Sequence, residues 1–229
     1  MANSVIFKSS VGKKMVMGLT GLFLVSFLLV HCFINQMIFW DSSGQLFNEY
    51  AHFMGTNIII RITEVGLFAG LLVHIIDGLL LYFQNKAARK TPYVMTNASA
   101  NSSWYSRSMA ILGILLLMFM IIHLYHFWVP SRITHTLQPV IYENGVPQHN
   151  LYQEMLFVFS NPYMTILYVL LQIPLGYHLL HGFKSGFQSL GINHTKYNDL
   201  IDRTGMVIAV VIPILFAAMP VMMYFRANP

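Results

Sequence analysis

The chain alternates long apolar stretches with shorter polar ones, and five of the apolar stretches are long enough to cross a bilayer. A membrane-spanning helix needs about 20 residues that are mostly apolar. Because five such helices take up most of the chain, the pattern predicts an all-α membrane protein with one domain over residues 1–229. The predicted spans cover residues 15–40, 57–83, 108–130, 157–183 and 205–225.

Composition agrees with this reading, since 56% of the 229 residues are hydrophobic and only 9% are charged. The first apolar stretch is longer than the core of a signal peptide and has no small-x-small cleavage pattern after it, so we expect a retained span. The only cysteine, Cys32, excludes internal disulfides, Cys-ligated iron–sulfur clusters and covalent CxxCH haem attachment.

The basic residues predict the orientation, because cytoplasmic segments are enriched in Lys and Arg. With the N-terminus in the cytoplasm and the C-terminus in the periplasm, ten basic residues are inside and three outside. The net charge of +5 then reflects topology and not nucleic-acid binding. The inner ten are Lys8, Lys13, Lys14, Lys86, Arg89, Lys90, Arg107, Lys184, Lys196 and Arg203; the outer three are Arg61, Arg132 and Arg226.

The outer segment 131–155 carries several turn signals, including Asn144-Gly145, and predicts a structured cap over the ends of the helices. We expect its two histidines, His135 and His149, to be ordinary surface residues. The last span holds Pro213 and Pro220, which predict kinks without implying a site.

Histidines at membrane depth are the main chemical signal, because ionisable groups in hydrocarbon are costly and mark functional sites. The first four spans each contain at least one histidine and the fifth contains none. They are His31, His74, His123, His126, His178 and His181.

Counting about 1.5 Å per helical residue places these histidines at two levels. His31 lies ~25 Å from Lys14 and His123 lies ~24 Å from Arg107, so these two are level. His74 is ~18 Å from Lys86, and His178 is also ~18 Å from the end of its helix if that helix reaches residue 190.

Two pairs of imidazoles at two depths are what two stacked bis-histidine haems require. The pattern predicts His31 and His123 as iron ligands of an outer haem, and His74 and His178 as ligands of an inner one. His126 and His181 are the alternative ligands in their spans. A di-iron carboxylate site or a zinc site fits the spacing less well.

Two of the histidines share a short pattern, H-x-x-x-G, at His74–Gly78 and His178–Gly182. The glycine follows one turn later on the same helix face. It could leave room for a porphyrin edge, or it could allow close packing of two helices.

These stretches, taken in order, resemble the single-chain, five-helix, dihaem cytochrome b anchor of succinate dehydrogenase and fumarate reductase (the b558 type). The resemblance covers nearly the whole chain and rests on SSVGKKMVMGLTGLFLVSFLLVHCFIN, GLLVHIIDGLLLYFQ, IIHLYHFW and YHLLHGFKSGFQSLG. The family's fourth-helix motif, H-x-x-x-G with a further glycine nine residues later, matches His178, Gly182 and Gly191. One branch has a glutamate where this chain has Gly176, which puts its transmembrane proton pathway in doubt here.

The resemblance implies two haem b groups and a bacterial inner-membrane location. It also implies flavoprotein and iron–sulfur subunits on the cytoplasmic face, and a membrane quinone, with menaquinone expected, as substrate. Dicarboxylate chemistry would belong to the flavoprotein, because this chain has no GxGxxG fingerprint. Besides lipid and quinone contacts, the bundle leaves room for a dimer of the whole complex.

Several polar residues are candidates for supporting roles. Asp77 could reach a haem propionate or the inner interface. Arg61 and Glu64, one turn apart, could pair with each other or meet an outer propionate or a quinone. A quinone pocket needs polar groups beside an apolar slot. Candidates are Asn35, Gln36, Glu49 and His52 at the outer side, and Ser9, Ser10, Trp104 and Arg107 at the inner side.

Two other functions remain open at this point. A dihaem cytochrome b subunit of a hydrogenase or formate dehydrogenase would also use paired histidines, but its partners dock mainly on the outer face. A haem-free proton-coupled transporter would use the histidines as a relay and should show inverted repeats with broken helices.

Overall fold

The structure is a computed structural model, and it describes residues 9–88, 103–143 and 145–229. The described part is mostly helical and contains five helices that are long and apolar enough to cross a membrane. The predicted five-helix membrane architecture is therefore confirmed. These helices are span one (Ser10–Trp40), span two (Ile58–Ala87), span three (Met109–Arg132), span four (Pro162–Ser189) and span five (Thr195–Ala227).

The sides of the membrane on which the termini lie stay a prediction. Three of the basic residues that support the orientation, Lys8, Arg89 and Lys90, lie outside the described residues, as does Asn144 of the predicted turn. Gly145 is described, and its positive φ of 69° is typical of a turn glycine.

Span one begins where the Ser9 side chain accepts a hydrogen bond from the Gly12 N–H at 3.0 Å. Its main helix ends at Asn35, and after Gln36 the chain continues as a single helical turn, Met37–Trp40. Span two is capped by Asn57, whose side chain accepts from the N–H groups of Ile59 and Ile60. It runs four residues beyond the predicted end.

Span three consists of Met109–His123, a π-helical turn at Leu124–Trp128 and a final turn at Val129–Arg132. A short helix, Trp104–Arg107, precedes it. The π turn directly follows His123, and such turns occur frequently at functional sites.

The predicted start of the fourth span at residue 157 is wrong. Residues 157–159 belong to a separate helix, Leu151–Phe159, and span four begins at Pro162. Proline suits the first helical position because its missing N–H has no partner to lose there, and Asn161 caps the Tyr163 N–H at 2.9 Å. Span four consists of Pro162–Leu170 and Gln172–Ser189.

Span five begins ten residues earlier than predicted, at Thr195, where the His194 side chain accepts from the Lys196 N–H. Hydropathy misses its first turns because they are polar. One of these residues, Asp202, forms an ion pair with Lys184 of span four at 2.6 Å.

Glycines set the closest contacts between spans. A Cβ atom added at Gly18 of span one would lie 2.9 Å from the carbonyl oxygen of Gly186 in span four. Real Cβ atoms do not come so close, so this crossing depends on the glycine. A Cβ at Gly176 would lie 3.0 Å from the carbonyl oxygen of Ala209 in span five, which is the carbonyl that Pro213 leaves without its helical N–H partner.

One end of the bundle is covered by a structured cap, as expected from the turn signals. It holds the helix Gln45–Thr56, the helix Leu151–Phe159 and an antiparallel pair of strands, β1 (Pro139–Ile141) and β2 (Pro147–His149). We call this the cap end. Asn48, which is 1% exposed, joins these pieces by donating to the Tyr142 hydroxyl and to Asn150 and by accepting from the Tyr152 N–H.

The main hydrophobic core also lies toward the cap end. It includes Ile38 and Met223, which have no exposed surface. A second, smaller core around Val25 and Leu179 lies deeper in the bundle. Arg226, at the end of span five, closes the cap by donating to the Ile38 carbonyl oxygen at 2.8 Å and to the Tyr152 hydroxyl at 3.0 Å.

Candidate functional site

Four histidines from four spans lie in two facing pairs. The ring centroids of His31 and His123 are 5.8 Å apart, and those of His74 and His178 are 6.3 Å apart. We call His31 and His123 the outer pair, and His74 and His178 the inner pair. Depth counting predicts the same two pairs, and their role as iron ligands stays a prediction.

The two pairs lie at levels about 15 Å apart along the bundle. Gly21 of span one faces His74, since a Cβ added there would lie 3.3 Å from Cε1 of that ring. Gly113 of span three faces His178 in the same way, at 3.9 Å. In both spans the outer-pair histidine follows ten residues later, and ten helical residues rise about 15 Å. Spans one and three thus give the same separation independently.

The spacing within each pair fits one metal ion between two imidazoles. A ligating nitrogen lies about 2 Å from the metal and its ring centre about 1 Å farther, so two imidazoles on opposite sides of one iron have centroids about 6 Å apart. Both observed separations are close to this value. Each of these four histidines has intermediate exposure as a whole residue.

Thr20 of span one orients His74. Its hydroxyl oxygen lies 3.1 Å from His74 Nδ1, and its own O–H donates to the Val16 carbonyl oxygen at 2.8 Å. Because the hydroxyl proton is already used, the oxygen accepts from Nδ1–H. That arrangement leaves the lone pair on His74 Nε2, the form of imidazole that binds metals.

His178 of the inner pair and His123 of the outer pair each have a ring nitrogen without a hydrogen-bond partner among the described residues. In both residues this atom is Nδ1, and it is buried. A buried polar atom without a partner destabilises the fold unless something else binds it. A metal ligated through Nε2, as inferred for His74, would leave these Nδ1 atoms unpaired, so the ring separations and not these atoms fit a group bound at each pair.

The surroundings of the two pairs differ. Aromatic rings surround the outer pair: Phe27 stacks on His31 at 5.3 Å, and Phe119 and Phe127 lie 5.6 and 5.4 Å from His123. Phe216 of span five lies 5.7 Å from His31. Thr20 and the glycines Gly21 and Gly113 lie beside the inner pair instead.

The two neighbouring histidines make other contacts. His126 Nδ1 lies 2.9 Å from the hydroxyl of Tyr168, and the two rings stack at 5.9 Å. The ring of His181 lies 6.5 Å from that of Tyr105. The geometry thus favours His123 and His178 as the paired members of spans three and four, although ligation itself stays untested.

The two glycines of the H-x-x-x-G patterns have different surroundings. A Cβ at Gly78 would lie 3.3 Å from Cε of Met17, so this glycine packs against a side chain of span one. A Cβ at Gly182 would meet no atom within 4 Å among the described residues. The surroundings of Gly182 therefore support the interpretation that the glycine leaves room for a porphyrin edge, and those of Gly78 do not.

At Gly176, a Cβ atom would lie 3.0 Å from the Ala209 carbonyl oxygen, so a side chain there requires span five to shift by a few tenths of an ångström. This close packing is consistent with a glycine at the position where one branch of the resembled family has a glutamate.

Asp77 is buried, with 7% of its surface exposed, and its Oδ2 has no partner in the described part of the chain. Lys13 of span one lies close enough to interact electrostatically with this carboxylate. Near the cap end, Glu64 forms the expected pair with Arg61 and also accepts from Trp128 Nε1 at 2.8 Å. Arg132 Nε lies 4.0 Å from the same carboxylate, so Glu64 joins spans two and three.

The outer quinone candidates make local contacts. The Asn35 amide donates to the His31 carbonyl oxygen and lies 3.4 Å from His31 Nδ1, and Gln36 donates to Cys32 Sγ. Glu49 accepts from Gln45, and His52 lines a cavity at the cap end. Of the inner candidates, Ser9 caps span one ahead of Ser10, and Trp104 lies against Tyr177 at 5.4 Å. Arg107 ends the short helix before span three.

Within residues 9–88, 103–143 and 145–229, no three His, Cys, Asp or Glu side chains converge as a zinc site would require. The histidines His31, His123, His74 and His178 lie in two pairs of neighbouring imidazoles instead. Comparisons with protein-family models, with curated proteins and with solved structures find no match for this chain.

Proposed function

We propose that this chain is the membrane cytochrome b subunit of a succinate:quinone oxidoreductase. In this role it holds two haem b groups, one between His31 and His123 and one between His74 and His178. The observation that carries the proposal is the presence of two imidazole pairs, each about 6 Å across, at levels about 15 Å apart.

The haems, when bound, would supply one-electron transfer between an iron–sulfur cluster and membrane quinone. The chain's own residues position them. Four spans each provide one imidazole, Thr20 holds the His74 ring in the tautomer with a free Nε2, and Gly182 leaves open space one turn after His178.

The remaining parts of the proposal concern location and partners. The N-terminus lies in the cytoplasm of a bacterium, the C-terminus lies in the periplasm, and the cap end faces outward. Flavoprotein and iron–sulfur subunits dock on the opposite, cytoplasmic end, where most of the basic residues lie. The quinone, expected to be menaquinone, reacts in or beside this chain.

A reduced-minus-oxidised absorption spectrum with haem quantitation on the purified chain tests the proposal. We expect two b-type haems per chain. One haem per chain would contradict the pairing, and none would contradict the family assignment and leave the proton-coupled transporter as the better reading. Co-purification of a flavoprotein, and not of a hydrogenase or formate dehydrogenase subunit, separates the two cytochrome functions.

A further inference from the structure

A cavity with several polar groups in a mainly apolar wall lies at the cap end, apart from the histidine pairs. Its volume is about 370 Å³. The helix Gln45–Thr56 lines one side, and strand β2 and the last residues of span three line the other. The polar groups that matter are His52, Arg132, Gln148 and His149.

These side chains bring positive charge and hydrogen-bond donors to one place. Arg132 is held there by donating to the Gly55 carbonyl oxygen at 3.3 Å. Partial burial lowers the pKa of His149, and the nearby Arg132, His135 and His52 lower it further. No carboxylate is among the described residues that line the cavity. Glu64, which does not line the cavity, lies 4.0 Å from Arg132 Nε, and an anion bound in the cavity would give this guanidinium a second favourable contact.

Gln148 supplies an independent observation that points to a ligand. Its side chain lines the cavity and is only 3% exposed, yet its Oε1 has no hydrogen-bond partner in the part of the chain that the structure describes. A buried amide oxygen requires a donor. A ligand that carries both a negative charge and a hydrogen-bond donor would satisfy Arg132 and Gln148 together.

The position of the cavity indicates where such a ligand comes from. Gly55 and Thr56 directly precede span two, and Ser131 and Arg132 are the last residues of span three. The cavity therefore lies level with the ends of two membrane helices, which is the depth of the lipid headgroups.

We propose that this cavity binds the headgroup of a phospholipid that carries a hydrogen-bond donor. Arg132, His52 and His149 bind the phosphate, and Gln148 Oε1 accepts from the ammonium or hydroxyl group of the headgroup. The inference does not depend on the proposed electron-transfer function, because none of these residues belongs to the histidine pairs.

Native mass spectrometry of the detergent-purified protein tests this with phosphatidylethanolamine, phosphatidylglycerol and phosphatidylcholine. The three lipids share the phosphate, but the quaternary ammonium of phosphatidylcholine has no N–H to donate. We expect the first two to bind about tenfold more tightly than phosphatidylcholine, the effect of one hydrogen bond to a buried group. Equal binding of all three lipids would overturn the proposal.

Variants separate the two parts of the site. Gln148→Met keeps the side-chain length and should abolish the preference over phosphatidylcholine. His149→Gln, at the exposed rim where misfolding is not expected, should weaken binding of all three lipids. Gln153→Leu, an exposed glutamine on the helix Leu151–Phe159, serves as the matched control and should change neither.

Two further readouts distinguish other ligands. If inorganic phosphate displaces the lipid, the site binds free anions and the proposal is wrong. If Gln148→Met lowers the haem content of the chain and leaves lipid binding unchanged, the cavity serves a haem propionate and the proposal is equally wrong. An absence of haem from the wild-type chain would contradict the proposed function but not lipid binding.

Discussion

The outer and inner histidine pairs have nearly the same ring separation, but different kinds of residues surround them. The outer pair lies beside the main hydrophobic core and is surrounded by aromatic rings from spans one, three and five. The inner pair lies beside the smaller core and next to glycines, with a threonine orienting one ring. Large aromatic side chains and the Asn35 amide, 3.4 Å from His31 Nδ1, contact the outer imidazoles, whereas glycines and the Thr20 hydroxyl contact the inner ones.

The largest expected effect separates the paired histidines from their neighbours. His123→Ala and His178→Ala should each remove one haem of two, because each deletes an iron ligand. His126→Ala and His181→Ala, which contact Tyr168 and Tyr105 instead, should keep both. Haem quantitation per chain measures the difference. Loss of the inner haem in the His181 variant alone would reverse the assignment in span four.

A bulky residue at Gly182 should affect only the inner site. A Cβ atom at Gly182 meets no atom within 4 Å among the described residues, and a porphyrin edge would compete with a larger side chain for that space. We expect Gly182→Leu to lose most of the inner haem and none of the outer one. Gly66→Leu is the control, since Gly66 of span two also meets no atom within 4 Å but is exposed toward lipid. Full occupancy of both haems in the Gly182 variant would exclude a porphyrin from this space.

Thr20→Val should weaken the inner site by a smaller factor. It removes the oxygen that accepts from His74 Nδ1 and keeps the side-chain shape. Loss of such a supporting hydrogen bond costs about 10- to 100-fold in affinity at metal sites. Haem titration of the apoprotein would show the change, and Thr20→Ser should restore binding.

Thr63→Val is the matched control, because Thr63 donates only to the Ile59 carbonyl oxygen of its own helix. An equal loss in both threonine variants would indicate a general effect on helix stability.

The smallest effect concerns the ion pair at the inner end of the bundle. Lys184 and Asp202 have 49% and 41% of their side chains exposed, and exposed pairs contribute about 0.2–1 kcal/mol. Asp202→Asn should lower the thermal midpoint in detergent by at most a few degrees and change neither haem. A large loss of the inner haem would mean that this pair holds spans four and five together more firmly than its exposure indicates.

Hydropathy predicted the number of spans, and counting residues predicted which histidines are level. Hydropathy misplaced the start of span four because residues 156–159 are as apolar as the span itself. The break at Ser160-Asn161-Pro162 depends on turn chemistry instead. Hydropathy also missed the helix Gln45–Thr56 because that segment is amphipathic and not continuously apolar.

Contacts between spans were harder to predict than the depth of each histidine along its span. Residue counting gives depth, but the rotation of each helix about its own axis decides which side chains meet. The hydrogen bonds of Thr20 with His74, of Tyr168 with His126 and of Trp128 with Glu64 all depend on that rotation. A threonine that also bonds to its own backbone is common in helices, so no sequence signal marked Thr20.

The π turn at Leu124–Trp128 acts as a one-residue insertion that span three has absorbed. Each residue of an α-helix turns the chain by about 100°, whereas the wider π turn takes up one extra residue without rotating the residues after it. His123 precedes the turn and faces His31, while Trp128 at its end faces Glu64 of span two. Deleting one residue within the turn should return the span to regular α-helix and keep both contacts. Inserting a residue in the regular helix between the turn and either contact would rotate that contact away, so span three tolerates a one-residue change in length at this turn better than elsewhere.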